Sequence, residues 1–245
     1  MKSSEWKVIQ AAKEAGLPDP GFEIDQNTAI VITDPQNDFL RSDGVAWPIV
    51  KDSVKKNNTI DNMLTVFKLC QEHGMKVFIS PHWLYPADKG WKFGGSLEKF
   101  MDGKEMYKRE GQLDMEGFED SGADFLEDFK PYLNQENIIL CSPHKIFGPQ
   151  NNDLALQLRK YNIQKVLMAG MSANLCLESH LRHLVELGFE VGVIADASAS
   201  AIAPGMDTFE AALMNFRMIG SHVFSTEEFE QEMEKVNLSV SSRSK

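Results

Sequence analysis

The chain has 245 residues, 42% of them apolar, and 25 Lys and Arg against 36 Asp and Glu give a formal net charge of −11. This length suits one α/β domain of about 250 residues, and the apolar share is enough for a core, which excludes disordered and fibrous classes. The acidic balance shows no basic face for a nucleic acid or an anionic membrane.

Taken in chain order, helical patterns are expected over 4–14, 51–73, 120–129, 151–161, 174–187, 205–218 and 226–236. Strands are expected over 28–34, 76–81, 137–142, 165–170, 190–196 and 222–225, and residues 239–245 read as a frayed tail. Most of the strand runs are rich in Val, Ile and Leu without polar alternation, as in strands covered on both faces. Strand alternating with helix implies right-handed crossovers. The fold class is therefore α/β: a three-layer α/β/α sandwich around a six-stranded, mainly parallel sheet, built as one domain over 1–245.

Residues 82–118 break the alternation. They hold Trp83, Tyr85, Trp91, Phe93, Phe100, Tyr107 and Phe118, together with Gly94 and Gly95. Such an aromatic, glycine-rich insertion is either a packed cover for a sheet edge or a lid or subunit contact. The longest apolar stretches, 138–141 and 166–171, are far shorter than the roughly 18 residues of a spanning helix. Residues 1–16 lack the apolar stretch of a signal peptide. A cytoplasmic location and a small-molecule partner are expected.

Ligands of open parallel sheets sit beyond the carboxyl ends of the strands. The polar residues expected there are Asp34, His82, Lys145 and Cys176. Asp34 is either a turn former before Pro35 or a partly buried carboxylate that moves protons. Lys145 is either a solvated loop lysine or a cation of the site. Cys176 opens a helix whose core face is already supplied by Leu177, Leu181, Leu184 and Val185, with Asn174 as the expected N-cap. A thiol there is either a small core residue or a thiolate favoured by the helix terminus. The three cysteines form neither a disulfide framework nor a zinc pattern; Cys70 and Cys141 read as core thiols. Neither GxGxxG nor GxxxxGK[ST] occurs, which argues against a nucleotide binder.

Three segments resemble motifs of the isochorismatase-like cysteine hydrolases, a family related to nicotinamidases. Residues 31–39 (VITDPQNDF) resemble the opening motif. His144 and Lys145 before Phe147-Gly148 resemble the lysine motif, and 169–176 (AGMSANLC) with Glu178-Ser179-His180 resembles the nucleophile motif. The resemblance spans about 27–225. It implies a triad of Asp34, Lys145 and Cys176, a cis peptide at Met171–Ser172, and an oxyanion hole from the N–H groups of Ser172 and Cys176. It also implies a homo-oligomer, dimer or tetramer.

The implied chemistry is hydrolysis of a C–N bond in an amide or carbamoyl compound through a thioester. Isochorismatases cleave a vinyl ether without the cysteine, so Cys176 points to the amidohydrolase side. Vinyl-ether hydrolysis without covalent catalysis, or a binding protein on the same fold, are the alternatives. The nicotinamidase metal pattern Asp-x-His-x5-His leaves only His82 and Asp88 here, so neither metal nor other cofactor is expected. His82, Trp83, Trp91 and Phe39 are the expected substrate contacts, while His180 and His183 are expected to be solvated or structural.

Overall fold

A computed structural model describes residues 2–88, 93–110 and 115–243. Eight strands are β1 (Thr28–Thr33), β2 (Val77–Ser80), β3 (Ile138–Leu140), β4 (Lys165–Gly170), β5 (Glu190–Ser198), β6 (Ile202–Ala203), β7 (Met206–Asp207) and β8 (Val223–Phe224). Six of them form one parallel sheet in the order β3-β2-β1-β4-β5-β8, and β6 and β7 pair as a separate antiparallel ribbon. The helices are α1 (Lys7–Glu14), α2 (Asn37–Leu40), α3 (Trp47–Lys56), α4 (Thr59–His73), α5 (Ser96–Lys104), α6 (Lys130–Leu133), α7 (Leu154–Lys160), α8 (Glu178–Glu186), α9 (Thr208–Ile219) and α10 (Thr226–Arg243).

The central strands are buried on both faces because side chains of alternate residues enter different cores. In β1 and β4, Ile30, Ile32, Leu167 and Ala169 face one core, which α4 fills with Met63, Val66, Phe67 and Cys70 and α10 with Phe229 and Met233. Ala29, Val31, Val166 and Met168 face the other core, filled by Leu154 and Leu158 of α7, Leu181 and Leu184 of α8, and Phe209, Leu213 and Phe216 of α9. This is the three-layer sandwich expected from the alternation. Leu140 is 50% exposed, because β3 is an edge strand and is not covered on both faces as its apolar run suggests.

Four elements differ from the sequence reading. The helical pattern over 51–73 is two helices, α3 and α4, broken where Asn58 takes a left-handed φ of 53°. The stretch 120–129 supplies only a 3-10 turn (Glu127–Phe129) before the one-turn α6, since Ser121 and Asp124 close local turns there. Cys176 lies in a π-turn (Ala173–Leu177) ahead of α8, entered from Ser172, and Asn174 is inside that turn rather than its cap. Helix α10 continues to Arg243, past the point where the tail was expected to begin, and residues 244–245 lie outside the described residues. Among the described residues no helix is long and apolar enough to cross a membrane.

The site is positioned by the pairing of β1 with both neighbours. Thr33 is in register with Ser80 of β2 and with Gly170 of β4, so three strands end on one line. The seam continues past the strands: Met171 N–H donates to the Thr33 carbonyl at 2.8 Å, and Thr33 Oγ1 donates to the Met171 carbonyl at 2.8 Å. Gly170 has φ of 109°, and a Cβ there would be driven into the Thr33 carbonyl oxygen. Both constraints require glycine. Gly170→Ala is expected to cost about 3 kcal/mol or more, read as a lowered urea midpoint; an unchanged midpoint would show that the seam yields.

Candidate active site

Beyond the ends of β1, β2 and β4 the chain brings Asp34, His82, His144 and Cys176 together. One potential ligand atom from each lies within 4.8 Å of all the others, and all four residues are buried. Asp34 leaves β1 with a left-handed φ of 46°. Its Oδ1 is 2.8 Å from His144 Nε2, while Oδ2 has no hydrogen-bond partner among the described residues. His82 is fixed through its backbone by Gln36, whose Oε1 accepts from the His82 N–H at 2.8 Å and whose Nε2 donates to the His82 carbonyl at 3.0 Å. The His82 and His144 rings lie 4.8 Å apart at 31°.

Cys176 is set by the turn after the cis peptide Met171–Ser172. Its thiol donates to the Ile146 carbonyl at 3.5 Å, and the backbone N–H groups of Ser172 and Cys176 lie beside the sulfur. Burial pushes the thiol well above its ordinary range, the charge and polar contact of Asp34 push it further, and the two N–H groups pull the other way. Cys176 is therefore a thiol at rest. Cys141 is pushed up to about 12 by burial and then Asp153, and Cys70 is also raised by burial, as core thiols should be.

Lys145 does not converge with Asp34 and Cys176 as expected. Its Nζ is 2.6 Å from Asp88 Oδ2 and 4.3 Å from the Tyr85 ring centre, partly exposed. The residue before it enters the site instead. His144 forms a parallel bridge with His82 and donates its backbone N–H to the Pro81 carbonyl at 2.9 Å. Successive side chains of an extended segment point to opposite sides, so His144 facing inward turns Lys145 outward. Asp88 is likewise not a partner of His82: its carboxylate accepts from Lys145 and from the Tyr85 N–H.

The remaining expected contacts separate. Phe39 is buried against Tyr107, ring centres 5.6 Å apart. Trp83 donates Nε1–H to the Ala123 carbonyl at 3.2 Å and packs edge-on against Phe118. Trp91 lies outside the described residues. Tyr107, which sequence reasoning treated as one aromatic among seven, roofs the cluster. It stacks on His82 with centres 4.6 Å apart, and its hydroxyl has no partner among the described residues. Its backbone N–H donates to Asp38 Oδ2 at 2.7 Å, and Leu84 bridges Lys108 beside it. Nothing in a single sequence distinguishes Tyr107 from its aromatic neighbours; the buried Asp38 that holds it is the nearest signal.

His180 supports Cys176 from beneath. Its Nδ1–H donates to the Cys176 carbonyl at 2.7 Å, and Nε2 accepts from Ser80 Oγ at 2.8 Å. Ser80 Oγ in turn accepts from Asn152 Nδ2 at 2.9 Å. A small cavity of about 20 Å³ next to Ile146, Leu84 and Tyr85 includes none of the clustered residues. A groove of ≈ 750 Å³, lined by residues of α1, α4, α9 and α10, includes none of the clustered residues.

The family model for the Isochorismatase domain matches residues 28–228. The chain belongs to the isochorismatase family of hydrolases. No curated protein matches it. Among solved structures it is similar to a cysteine hydrolase from Pseudomonas syringae pv. phaseolicola 1448A at TM-score 0.71 and 16% identity, covering 89% of this chain and 98% of that one. An isochorismatase family protein from Desulfovibrio vulgaris gives 0.62 and 18%, covering 84% and 98%. N-carbamoylsarcosine amidase from Thermoplasma acidophilum gives 0.57 and 18%, covering 81% and 96%. These identities speak to the fold, which matches in all three.

Burial, then repulsion from His144, lowers the His180 imidazole to about 3, and the same causes hold His82 well below its usual value, with a smaller contribution from Lys145. An imidazole kept neutral by folding binds a proton in the unfolded chain first, so stability is complete above the unfolded value near 6.5 and falls as pH drops towards the folded one. Urea unfolding is expected to lose up to about 1.4 kcal/mol per pH unit for each such imidazole between pH 6 and 5. His180→Gln should flatten that slope, and an unchanged slope would remove His180 from the account.

Proposed function

We propose that this hydrolase cleaves a C–N bond of a small amide or carbamoyl compound through a thioester on Cys176. The observation that carries the reading is the Cys176 thiol, buried beside the Asp34 carboxylate, with the Ser172 and Cys176 N–H groups next to it. A thiol, a base and two preset donors are the parts of acyl transfer.

In this mechanism Asp34 takes the thiol proton as sulfur attacks the carbonyl carbon. The Ser172 and Cys176 N–H groups receive the oxyanion. Protonated Asp34 then gives its proton to the leaving nitrogen, and the C–N bond breaks. Water attacks the thioester while Asp34 accepts its proton, and collapse returns the thiol and releases the acid. His144 takes the third position of the triad in place of Lys145. Its bond to Oδ1 leaves Oδ2 free for the proton, which is how it positions the base.

The test is a screen of amides, ureas and carbamates for ammonia release. Cys176→Ala is expected to abolish turnover, and His144→Ala to lower kcat by about 100-fold or more. Lys145→Ala should keep most of the activity, since it breaks only a partly exposed ion pair. Mass spectrometry of quenched reactions should find the acyl group on Cys176. Full turnover by Cys176→Ala would overturn the nucleophile.

A second test uses the resting thiol. With its pKa raised well above 9, the thiolate fraction should grow about tenfold per pH unit. Alkylation of Cys176 by iodoacetamide is therefore expected to accelerate from pH 7 to 9 without levelling. A plateau below pH 8 would mean that a cation, Lys145 included, stabilises the thiolate.

A further inference from the structure

We propose that Asp34, His82, His144 and Cys176 also form a closed binding site for one divalent ion of the zinc type, and that capture of the ion silences the hydrolase. The capture stands apart from the hydrolytic reading; only its consequence rests on that reading.

The donor set comes first. One carboxylate oxygen, two imidazole nitrogens and one sulfur meet within 4.8 Å. Imidazole and thiolate select zinc-like ions over magnesium and calcium, which prefer oxygen shells. A tetrahedral zinc site with bonds near 2.0–2.3 Å has ligand separations of about 3.3–3.8 Å. The longest edge must therefore shorten by roughly 1 Å, and the near-parallel His82 and His144 rings, 31° apart, must turn toward one ion.

Unused polar atoms point the same way. Asp34 Oδ2, His82 Nε2 and His144 Nδ1 are buried and without hydrogen-bond partners among the described residues. Three of the four clustered residues thus carry a buried polar atom without a partner, which is costly, and a cation satisfies polar atoms that nothing else reaches. The supports of the ligands are already in place. Gln36 clamps the His82 backbone, and the His82 ring bonds to the backbone of Lys145. Such outer contacts orient metal-binding histidines.

Charge balance favours the same ion. A dication bound to one carboxylate, one thiolate and two neutral imidazoles has no net charge, which suits a site closed to water. Binding releases the Cys176 thiol proton to solvent as the metal–sulfur bond forms. Four protein ligands leave no open position for a metal-bound water, so the ion withdraws the base and the nucleophile rather than activating a substrate. This set differs from the residual His82 and Asp88 pair, because Asp88 is held by Lys145.

The test titrates the full-length, chelator-stripped protein with Co²⁺. One equivalent is expected to saturate a sulfur-to-cobalt charge-transfer band and the strong visible bands of tetrahedral cobalt, and Zn²⁺ should displace it. Cys176→Ser should lose the charge-transfer band, and His82→Gln should weaken binding by about 100-fold. If a variant does not fold, the wild-type protein still decides, because bound Zn²⁺ must raise its Tm in proportion to ln[Zn²⁺]. No charge-transfer band in the folded wild type, or an unchanged band in folded Cys176→Ser, overturns the site. Acyl trapping on Cys176 in metal-free protein reports on the hydrolase separately.

Discussion

The parallel pairing of β1 with β2 on one side and β4 on the other is the constraint on which the site depends. Thr33 aligns with Ser80 and Gly170 at once, so the residues that follow each strand leave the sheet at the same height. Asp34, His82 and the turn to Cys176 then need only short excursions to meet. The approach of β4 to Thr33 is close enough to demand a glycine at 170, and the Thr33 side chain and backbone tie down the peptide that leads into the nucleophile turn. A site built this way is as rigid as the sheet beneath it, which is what preset oxyanion donors require.

From that line the supporting contacts radiate in layers. Gln36 locks the backbone of His82, Asp38 holds the strap that carries Tyr107, and the His180–Ser80–Asn152 chain braces the Cys176 carbonyl. Gln36, Asp38, Ser80 and His180 are all buried, each with a named partner. Burial thus does two jobs. It stiffens the site, and it keeps the His82 and His180 imidazoles neutral, so that they accept or donate hydrogen bonds without bringing charge.

The fold was legible in the sequence because the interiors of the β1 and β4 runs, 29–32 and 166–169, are apolar without polar alternation, as expected of a doubly covered parallel strand. The corrections arose where local signals compete. The break at Asn58 in the 51–73 pattern leaves the amphipathic spacing intact on both sides, so periodicity cannot see it. Asp34 and Cys176 were legible as strand-end residues in recognisable motifs. That His144 rather than Lys145 faces the cluster was not, because motif spacing locates a segment whereas the facing of a side chain depends on a one-residue phase in an extended turn. That phase is fixed by the Pro81 and His82 contacts of His144, which come from the residues just after β2, far earlier in the chain. Tyr107 was hidden for a related reason, since its place over His82 is set by Asp38 and not by its own neighbours.

The inward facing of His144 has an electrostatic consequence for the proposed chemistry. A lysine ammonium next to the thiol would favour a thiolate at rest, whereas here burial and Asp34 favour the thiol. Attack must then be coupled to proton transfer. As the proton passes from sulfur to Asp34, the negative charge passes from the carboxylate to the oxyanion under the Ser172 and Cys176 N–H groups. One charge moves a few ångströms and none is created, so the low-dielectric site does not pay for separating an ion pair. The resting thiol is also the less reactive form towards oxidants and stray electrophiles, since the thiolate is the nucleophile. Reactivity on this account appears only when a carbonyl sits against the two donors, which ties the strength of the nucleophile to the presence of the substrate.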